Sequence, residues 1–466
     1  MNVASYGFLL VFLPAALIGF RRLKGTAAQG FLVLAGLLFC GWGAPGSLIV
    51  LLAEGALTYT LGAQMGRPGR NSGLLLGVGC AVVLGVLAVF KYTPAAQGLG
   101  ELAPLGLSFF SFQQLFWLRD RYTGQVQAVS PLCYAACVTY FPLATSGPII
   151  RVGELGPQLG APAQFSWEDM ASGLWCFSLG LFKKVLLAGL FAGGADWGFP
   201  LAGTLSSADA VLVSLCYTLQ IYFDFSGYCD MAWGAARMMG VELPVNFDSP
   251  YRAGSVSGFW KRWHITLSRF FTHCVYIPLG GSRRGMLTTC RNIMIVFLLS
   301  GLWHGAGAGF LVWGALHGGA MVLERLCRGK LRLPRPLGWL MTFLFVNGAW
   351  VFFRAEQLPQ ALALLGDMAG GGWGLPSPEL AQALLLPEFQ ALSALARWTG
   401  TGVRLWGYWL PLLALPMGMA LLALPNPIRQ AQDFRPRAWK MLAAAAMLVW
   451  SVISLTGVDT FIYANF

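Results

Sequence analysis

Charged residues are scarce in this chain of 466 residues. Asp, Glu, Lys and Arg make up only 11% of it, whereas they make up roughly 25% of an ordinary soluble domain. A water-soluble protein of this length could not cover its surface with so few charges, and a hydrophobic content of 56% also excludes a disordered chain. The composition therefore predicts an integral membrane protein. At roughly 20 residues per spanning helix, the apolar residues set an upper limit of about 13 spans.

Histidine is also scarce, and the cysteines form no recognisable motif. The chain has four His and ten Cys without a CxxC pair, and the closest two cysteines are Cys133 and Cys137. A zinc site needs a cluster of such ligands at short spacing. We therefore expect no metal, and we expect most cysteines to be small packing residues of apolar segments.

Acidic residues are fewer than basic ones, 19 against 31, which gives a net charge of +12. Such a charge in a soluble protein would suggest a nucleic-acid partner. In a membrane protein it indicates basic cytoplasmic loops under the positive-inside rule, so no nucleic acid is expected. The first apolar run, 6–20, is followed by Arg21, Arg22 and Lys24. A signal peptide carries its charges before the apolar run, so this run predicts an uncleaved helix with its N-terminus outside.

Apolar segments without an internal repeat predict one membrane-embedded domain, 1–466. Its expected parts are N-terminal helices, a core, and a C-terminal loop with further helices: 1–100, 101–355 and 356–466. The Gly- and Pro-rich segment 369–404 predicts a loop with a surface helix. Two segments are irregular. Segment 173–191 is interrupted by Lys183 and Lys184, which predicts two short pieces that meet at an interface.

The other irregular segment, 208–239, is long enough to cross a bilayer although it contains Asp224 and Asp230. On a helix, Asp224 faces the same way as Tyr228, and Ser226 the same way as Asp230. Charges inside a span usually face a cavity or a partner. These residues therefore line a cavity or form a structural hydrogen-bond network, and the sequence alone leaves both open. The polar run LPVNFDSPY (243–251), with Asn246 and Tyr251, follows.

Between Arg252 and Arg291 there are seven basic residues and no acidic one. Lys261, Arg262 and Trp263 lie in this Pro- and Gly-broken stretch, which is typical of a re-entrant or interfacial element. It could bind a phosphate-bearing donor such as coenzyme A, or it could only anchor the chain at the bilayer surface.

The four histidines fall late in the chain. His304 ends an apolar run as part of WHG (303–305), and His317 follows 13 residues later. On one straight helix this spacing is about 19.5 Å of rise and about 220° of rotation, so a shared site would require a break at the glycines 305–309. His264 lies in the basic stretch, and His273 has no supporting context. A lone histidine in a membrane segment can be structural or catalytic.

The run 220–319 resembles the membrane-bound O-acyltransferase (MBOAT) family. Within that family it resembles the bacterial branch that contains the alginate O-acetylation protein AlgI and the teichoic acid D-alanylation protein DltB. Further elements fit the same family: LGLSFFSFQ (105–113), YFP (140–142), SGPIIR (146–151), GLFKK (180–184), WVFFR (350–354) and FIY (461–463). The PLGG element (278–281) and the WHG/LHG pair favour the AlgI-like branch. One departure is Thr272-His273-Cys274, where the branch usually has Arg-Asp-Tyr, and this puts in doubt an acceptor or partner contact there.

The resemblance implies an all-α polytopic membrane protein with re-entrant segments, roughly 10–12 transmembrane helices and a central tunnel. It implies that His304 and His264 are catalytic, with His304 as the general base. His264 would orient the donor or stabilise the oxyanion, and His317 is a possible third functional histidine. The expected donor-binding residues are Lys261, Arg262 and Trp263. The expected cavity-lining residues are Asp224, Ser226, Tyr228, Asn246, Tyr251 and Trp303.

The implied reaction is acyl transfer from a cytoplasmic thioester to a hydroxyl. Acetyl-CoA is the expected co-substrate, and no resident cofactor is expected. The implied location is the bacterial inner membrane, the acceptor an exported or cell-wall polysaccharide, and the partner a periplasmic acetyltransferase. Two alternatives stay open at this point: D-alanyl or other acyl transfer from a carrier protein, and a transporter or flippase without thioester chemistry.

Overall fold

A computed structural model of the chain describes residues 1–93, 102, 106–160, 166–327, 333–386, 408–432 and 434–457. Throughout these ranges the regular structure is helical and no strand occurs, which confirms the all-α prediction. The FIY element and part of the predicted 369–404 loop lie outside the described residues. Inside that loop, the structure places a short helix at 378–383.

The first half of the chain contributes ten helices to the described part. They are α1 (Leu13–Arg22), α2 (Gly25–Gly41), α3 (Ser47–Gln64), α4 (Ser72–Tyr92), α5 (Leu107–Tyr122), α6 (Pro131–Val138), α7 (Val152–Gly160), α8 (Trp167–Phe182), α9 (Ala188–Gly198) and α10 (Ser207–Met238). A π-helical turn, Gly7–Phe12, precedes α1, and another, Lys183–Leu187, joins α8 to α9.

The second half contributes shorter helices and three long ones. They are α11 (Val256–Trp260), α12 (Ile265–Phe271), α13 (Met286–His304), α14 (Ala308–Leu326), α15 (Arg335–Arg354), α16 (Leu358–Gly370), α17 (Pro378–Ala383), α18 (Leu410–Leu412), α19 (Ala414–Leu422), α20 (Pro427–Gln432) and α21 (Ala438–Ile453). The basic stretch 252–291 is broken into α11, α12 and the π-helical turn Thr272–Tyr276.

Six helices of the described part are long and apolar enough to cross a membrane, and four shorter apolar helices accompany them. The chain is therefore a multi-pass membrane protein. The helix α4 has a mean hydropathy of 2.6 and little buried surface, as expected of a span that faces lipid. In contrast, 83% of the most apolar window of α10 is buried inside the protein.

The prediction of two short pieces at 173–191 is wrong. Trp167–Leu201 forms one continuous helix of 35 residues, with the π-helical turn at the two lysines. The helix can continue because α10 packs against it and supplies a carboxylate for each ammonium. Lys183 Nζ lies 2.6 Å from Asp230 Oδ2, and Lys184 pairs with Asp224.

Glycines allow this close contact between α8 and α10. A Cβ atom at Gly180 would lie 2.6 Å from the carbonyl oxygen of Gly227, and one at Gly173 would lie 2.7 Å from that of Gly234. In both helices the two glycines are seven residues apart, which keeps them on one face. Small residues at such crossings let the backbones approach, as is common in membrane helices.

The helices α13 and α14 form an antiparallel hairpin. A Cβ atom at Gly301 would lie 2.4 Å from the carbonyl oxygen of Phe310, and one at Gly314 would lie 2.5 Å from that of Phe297. The chain reverses in the three residues that separate His304 from Ala308. The break that a shared site of His304 and His317 would require is therefore present, at residues 305–307.

Candidate active site

Three of the four histidines are buried in one region of the protein. His264, His304 and His317 expose 1%, 3% and 0% of their surface. His264 immediately precedes α12, His304 is the last residue of α13, and His317 lies in the middle of α14. Imidazoles are candidates for proton transfer because the unperturbed pKa of histidine is near neutrality and either ring nitrogen can carry the proton.

Two tryptophans link these three imidazoles. The ring centroid of Trp303 lies 6.4 Å from that of His264 and 4.6 Å from that of His304. The ring centroid of Trp313 lies 5.2 Å from that of His304 and 5.0 Å from that of His317. His304 is thus the middle imidazole, and a single indole separates it from each of the other two. The hairpin turn after His304 makes this arrangement possible.

The side chain of His264 contacts Asn246. Its Nδ1 lies 3.2 Å from Asn246 Oδ1, and the same oxygen accepts hydrogen bonds from the backbone N–H and the hydroxyl of Thr266 at 3.1 Å and 2.9 Å. Among the described residues, Nε2 of His264 has no hydrogen-bond partner. Burial lowers the pKa of His264, so its imidazole is neutral at pH 7.

His317 has a different kind of partner. The indole N–H of Trp260 donates a hydrogen bond of 3.2 Å to Nδ1 of His317, and within the described ranges its Nε2 has no partner. Trp313 and Phe345 also pack against this imidazole, with ring centroids 5.0 Å and 5.1 Å away.

A cavity of about 20 Å³ is lined in part by Phe109, whose ring packs against His264. Phe109 borders this cavity, and its ring centroid lies 6.2 Å from that of His264 and 5.7 Å from that of Trp303. A space of this size holds roughly one water molecule. Phe109 therefore contacts both His264 and a small space that Gln113 and Tyr140 also line.

The predicted donor-binding residues have different surroundings. Lys261 is exposed and Arg262 is half-buried, with its guanidinium donating to the carbonyl oxygen of Asp248 at 3.1 Å. Trp263 is buried, and its ring stacks on Phe259 and contacts Trp350. Five of the seven basic residues in 252–291 are exposed: Arg252, Lys261, Arg283, Arg284 and Arg291. The charge is therefore concentrated at the surface, while His264 in the same stretch is buried.

The predicted cavity-lining residues are all buried, and several of their polar groups bond to protein. Asp224 pairs with Lys184, the Tyr228 hydroxyl donates to the carbonyl oxygen of Pro142 at 3.2 Å, and the Tyr251 hydroxyl accepts from the Trp350 indole at 3.0 Å. Ser226 lies inside α10. For Asp224 these contacts agree with a structural network. Asn246 and Trp303 differ because they touch His264 directly.

One site residue, Lys91, could not be found by reasoning from the sequence. Its ammonium at the end of α4 donates to the carbonyl oxygen of Trp303 and lies 5.5 Å from the Trp303 ring centroid. The adjacent Tyr92 hydroxyl donates to the carbonyl oxygen of Leu302. The carbonyls in the last turn of a helix lack intrahelical partners, so α4 caps the helix that carries His304. The only signal in the sequence is a lysine at the end of an apolar run.

His273 lies apart from the three buried histidines. Its backbone carbonyl accepts a hydrogen bond of 2.9 Å from Arg119. Partial burial, and then the charges of Arg151, Arg119 and Arg269, lower the pKa of its imidazole. The segment Thr272-His273-Cys274 therefore borders a group of three arginines that all pair with acidic side chains: Arg119 and Arg151 with Asp120, and Arg269 with Glu154.

The sequence of this chain matches the model of the MBOAT, membrane-bound O-acyltransferase family, over residues 82–355. It is 38% identical to a peptidoglycan O-acetyltransferase of Helicobacter pylori over 415 residues, which are 78% of this chain and 79% of that protein. It is 35% identical to a probable alginate O-acetylase AlgI of Azotobacter vinelandii over 90% of this chain and 88% of that protein. A teichoic acid D-alanyltransferase of Bacillus subtilis is more distant, at 25% identity over 67% of this chain and 78% of that protein.

Proposed function

The chain belongs to the membrane-bound O-acyltransferase family, and on that premise we propose that it moves an acetyl group from a thioester donor across the membrane, by transfer to an acceptor hydroxyl, for O-acetylation of an exported polysaccharide. His304 is the general base of this reaction. The observation that carries the proposal is the position of His304, buried between two indoles with a further buried histidine beyond each of them. The acetyl group follows from the relatives, since the two O-acetylating proteins are more similar to this chain than the D-alanyltransferase is.

The reaction needs a base because a hydroxyl is a poor nucleophile at neutral pH. His304 takes the hydroxyl proton while the oxygen attacks the thioester carbonyl. The new C–O bond forms, the C–S bond breaks, and the thiolate leaves and is protonated. No serine or cysteine nucleophile is assigned, so the transfer is direct.

The surface charge of the basic stretch supports a phosphate-bearing donor such as acetyl-CoA. Lys261 is exposed and Arg262 half-buried, and they lie three and two residues, respectively, before the buried His264. A donor could therefore keep its phosphates at the surface while its thioester enters the protein. Phosphates favour such sites because Lys and Arg form charge-assisted hydrogen bonds with them.

The cellular arrangement is part of the same proposal. The donor is cytoplasmic, the protein lies in the bacterial inner membrane, and a central tunnel connects the two faces near His304. A periplasmic acetyltransferase then completes delivery to the polysaccharide. The basic residues Arg21, Arg22 and Lys24 follow the first apolar run, and they support a cytoplasmic position for the loop in which they lie.

The test compares His304→Ala with His273→Ala in the purified protein and in cells. His273 is a matched control because it is a histidine of the same chain that lies outside the site. We expect His304→Ala to abolish acetyl-CoA consumption and acetylation of the exported glycan at unchanged protein level, and His273→Ala to retain both. NMR of the purified polymer that shows full acetylation in His304→Ala would overturn the role of His304.

D-alanyl transfer is a second candidate, favoured by the similarity to the Bacillus subtilis protein. It predicts that the chain consumes an aminoacyl thioester on a carrier protein and leaves acetyl-CoA intact. A transporter without thioester chemistry would consume neither donor. Radiolabelled acetyl-CoA and a loaded carrier protein, offered separately to the same preparation, distinguish the three functions.

A further inference from the structure

The contacts of Asn246 give it a specific task beside His264. We propose that Asn246 is a positioning residue that holds the His264 imidazole with its proton on Nδ1, so that Nε2 accepts a hydrogen bond from an O–H or N–H group of a bound substrate. The inference rests on the proposed function for its effect on turnover. The position of the proton can be measured without any activity.

The orientation of the Asn246 amide is fixed by its neighbours. The backbone N–H of Thr266 can only donate, so the Asn246 atom 3.1 Å away must be the oxygen. The Thr266 hydroxyl accepts a hydrogen bond from the backbone N–H of Ile149 at 3.0 Å, which leaves its own proton for the same Asn246 oxygen. The amide nitrogen donates to the sulfur of Cys229 at 3.3 Å. A flipped amide would place two donors against each other.

The orientation of Asn246 decides the tautomer of His264. Nδ1 lies 3.2 Å from an oxygen that can only accept, so the hydrogen bond requires the proton on Nδ1. A neutral imidazole carries one proton, and Nε2 is then a bare acceptor, with no partner among the described residues. His317 shows the opposite case. Its Nδ1 accepts from the Trp260 indole, so its proton lies on Nε2.

The backbone of His264 also departs from ordinary geometry. Its φ is +45°, and Ser249, at +47°, is the other non-glycine residue with positive φ in the described part of the chain. Two neighbouring segments pair here, because the Asp248 N–H donates to the carbonyl oxygen of Arg262 and the Ile265 N–H to that of Asn246, both at 2.9 Å. His264 lies within this pairing, and Ser249 directly follows it. A non-glycine residue in this region is strained and persists only where its surroundings impose it. Asn246 therefore bonds to His264 and to the next residue: its side-chain oxygen contacts Nδ1 of His264, and its backbone carbonyl accepts from the N–H of Ile265.

The direct test is ¹⁵N NMR of the wild type labelled at its four histidines, with His264→Gln to assign the signal. We expect the proton of His264 on Nδ1 and that of His317 on Nε2. Asn246→Asp keeps an oxygen acceptor and should keep the proton of His264 on Nδ1. Asn246→Ala removes that acceptor, so the proton should no longer be confined to Nδ1. A His264 proton found on Nε2 in the wild type would overturn the inference, whatever the activity.

The kinetic test measures whether the position of the His264 proton affects turnover. Asn246→Ala should lower turnover by about 10²-fold, the lower end of the effect of a positioned proton acceptor, and Asn246→Asp should retain most of it. Asn347→Ala is the matched control, because Asn347 is a buried asparagine that bonds to Thr218 and Ser214 and, within the described part of the chain, to no histidine. If Asn246→Ala raises KM for the thioester, Nε2 binds an amide N–H of the donor; if it raises KM for the acceptor, Nε2 binds a hydroxyl.

The outcomes distinguish failure of the positioning role of Asn246 from failure of the proposed acyl transfer. Equal turnover in Asn246→Ala and the wild type would overturn the positioning role even with the expected tautomer. A wild type that transfers no acyl group would contradict the proposed function. The NMR result would in that case still support or overturn the tautomer.

Discussion

The ammonium group of Lys91 donates a hydrogen bond to the carbonyl oxygen of Trp303, the residue immediately before His304. The two residues are 212 positions apart in the chain. A cation at a helix C-terminus is favourable for the helix dipole, and here it also lies against the indole that separates His304 from His264. The contact ties the end of a lipid-facing span to the centre of the candidate active site.

Removal of this contact should disturb both the fold and the reaction. We expect Lys91→Met to lower stability by about 1.5–3 kcal/mol, the usual range for a hydrogen bond to a charged group, and to lower acyl transfer. Lys91→Arg, which keeps the charge and the donors, should restore most of both. Tyr92→Phe is the control, because it removes only the neutral bond to Leu302, worth about 0.5–1.5 kcal/mol. Full activity in Lys91→Met would show that Lys91 does not position His304.

The buried pair of Lys183 and Asp230 should be sensitive to the loss of one partner. Asp230→Asn leaves an ammonium without its carboxylate inside the protein, and we expect a loss of about 3–5 kcal/mol in the free energy of unfolding. The double change Lys183→Met/Asp230→Leu should recover much of it. Asp196→Asn breaks the half-exposed pair with Arg354 and should cost no more than about 1 kcal/mol. If Asp230→Asn and Asp196→Asn lower the free energy of unfolding equally, burial does not make the pair of Lys183 and Asp230 more sensitive than a half-exposed pair.

The glycine contact between α8 and α10 predicts a strong position dependence. Gly180→Ala would put its Cβ 2.6 Å from the carbonyl oxygen of Gly227, and we expect it to cost about 1–3 kcal/mol. Gly189→Ala lies on the same continuous helix with nothing within 4 Å, and it should be neutral or stabilise by up to about 1 kcal/mol. Thermal unfolding in detergent compares the two. If both variants unfold like the wild type, the helices are not in contact at Gly180.

The imidazole of His273 should titrate below its ordinary pKa of 6.5. At pH 7 it is neutral in the folded and unfolded chain. As the pH falls through 6.5, His273 binds a proton in the unfolded chain more readily than in the folded chain. Its contribution to the free energy of unfolding therefore decreases. Arg151→Gln removes one of the charges responsible and should raise the pKa of His273. NMR titration measures it, with Arg237→Gln as a distant control; an unchanged pKa in Arg151→Gln would contradict this cause.

Much of the fold could be predicted from the sequence because apolar runs of sufficient length form helices in a membrane. The prediction failed at Lys183 and Lys184 for a physical reason. A charged residue is unfavourable inside a spanning helix only if it has no partner there. The partners of the two lysines, Asp230 and Asp224, belong to another helix. Their mutual position depends on the packing of two helices through glycines, which hydropathy does not measure.

The site was predictable in its residue types but not in its geometry. The expected histidines His304 and His264 lie in one buried region, and the break after His304 brings His317 to it as well. The indoles that separate them, the cap from Lys91 and the amide of Asn246 depend on contacts between distant segments. Single motifs carry no information about such contacts.

The ion pairs between α10 and the preceding long helix also bear on how the protein reaches its membrane. A charge at the centre of a span costs about 2.5–3.5 kcal/mol to insert, and the long helix that precedes α10 carries two of them. Lys183 and Lys184 are synthesised some forty residues before Asp224 and Asp230. Neither helix is neutral until the other is available. We therefore expect the two helices to enter the membrane together, as one hairpin in which the ion pairs have already formed.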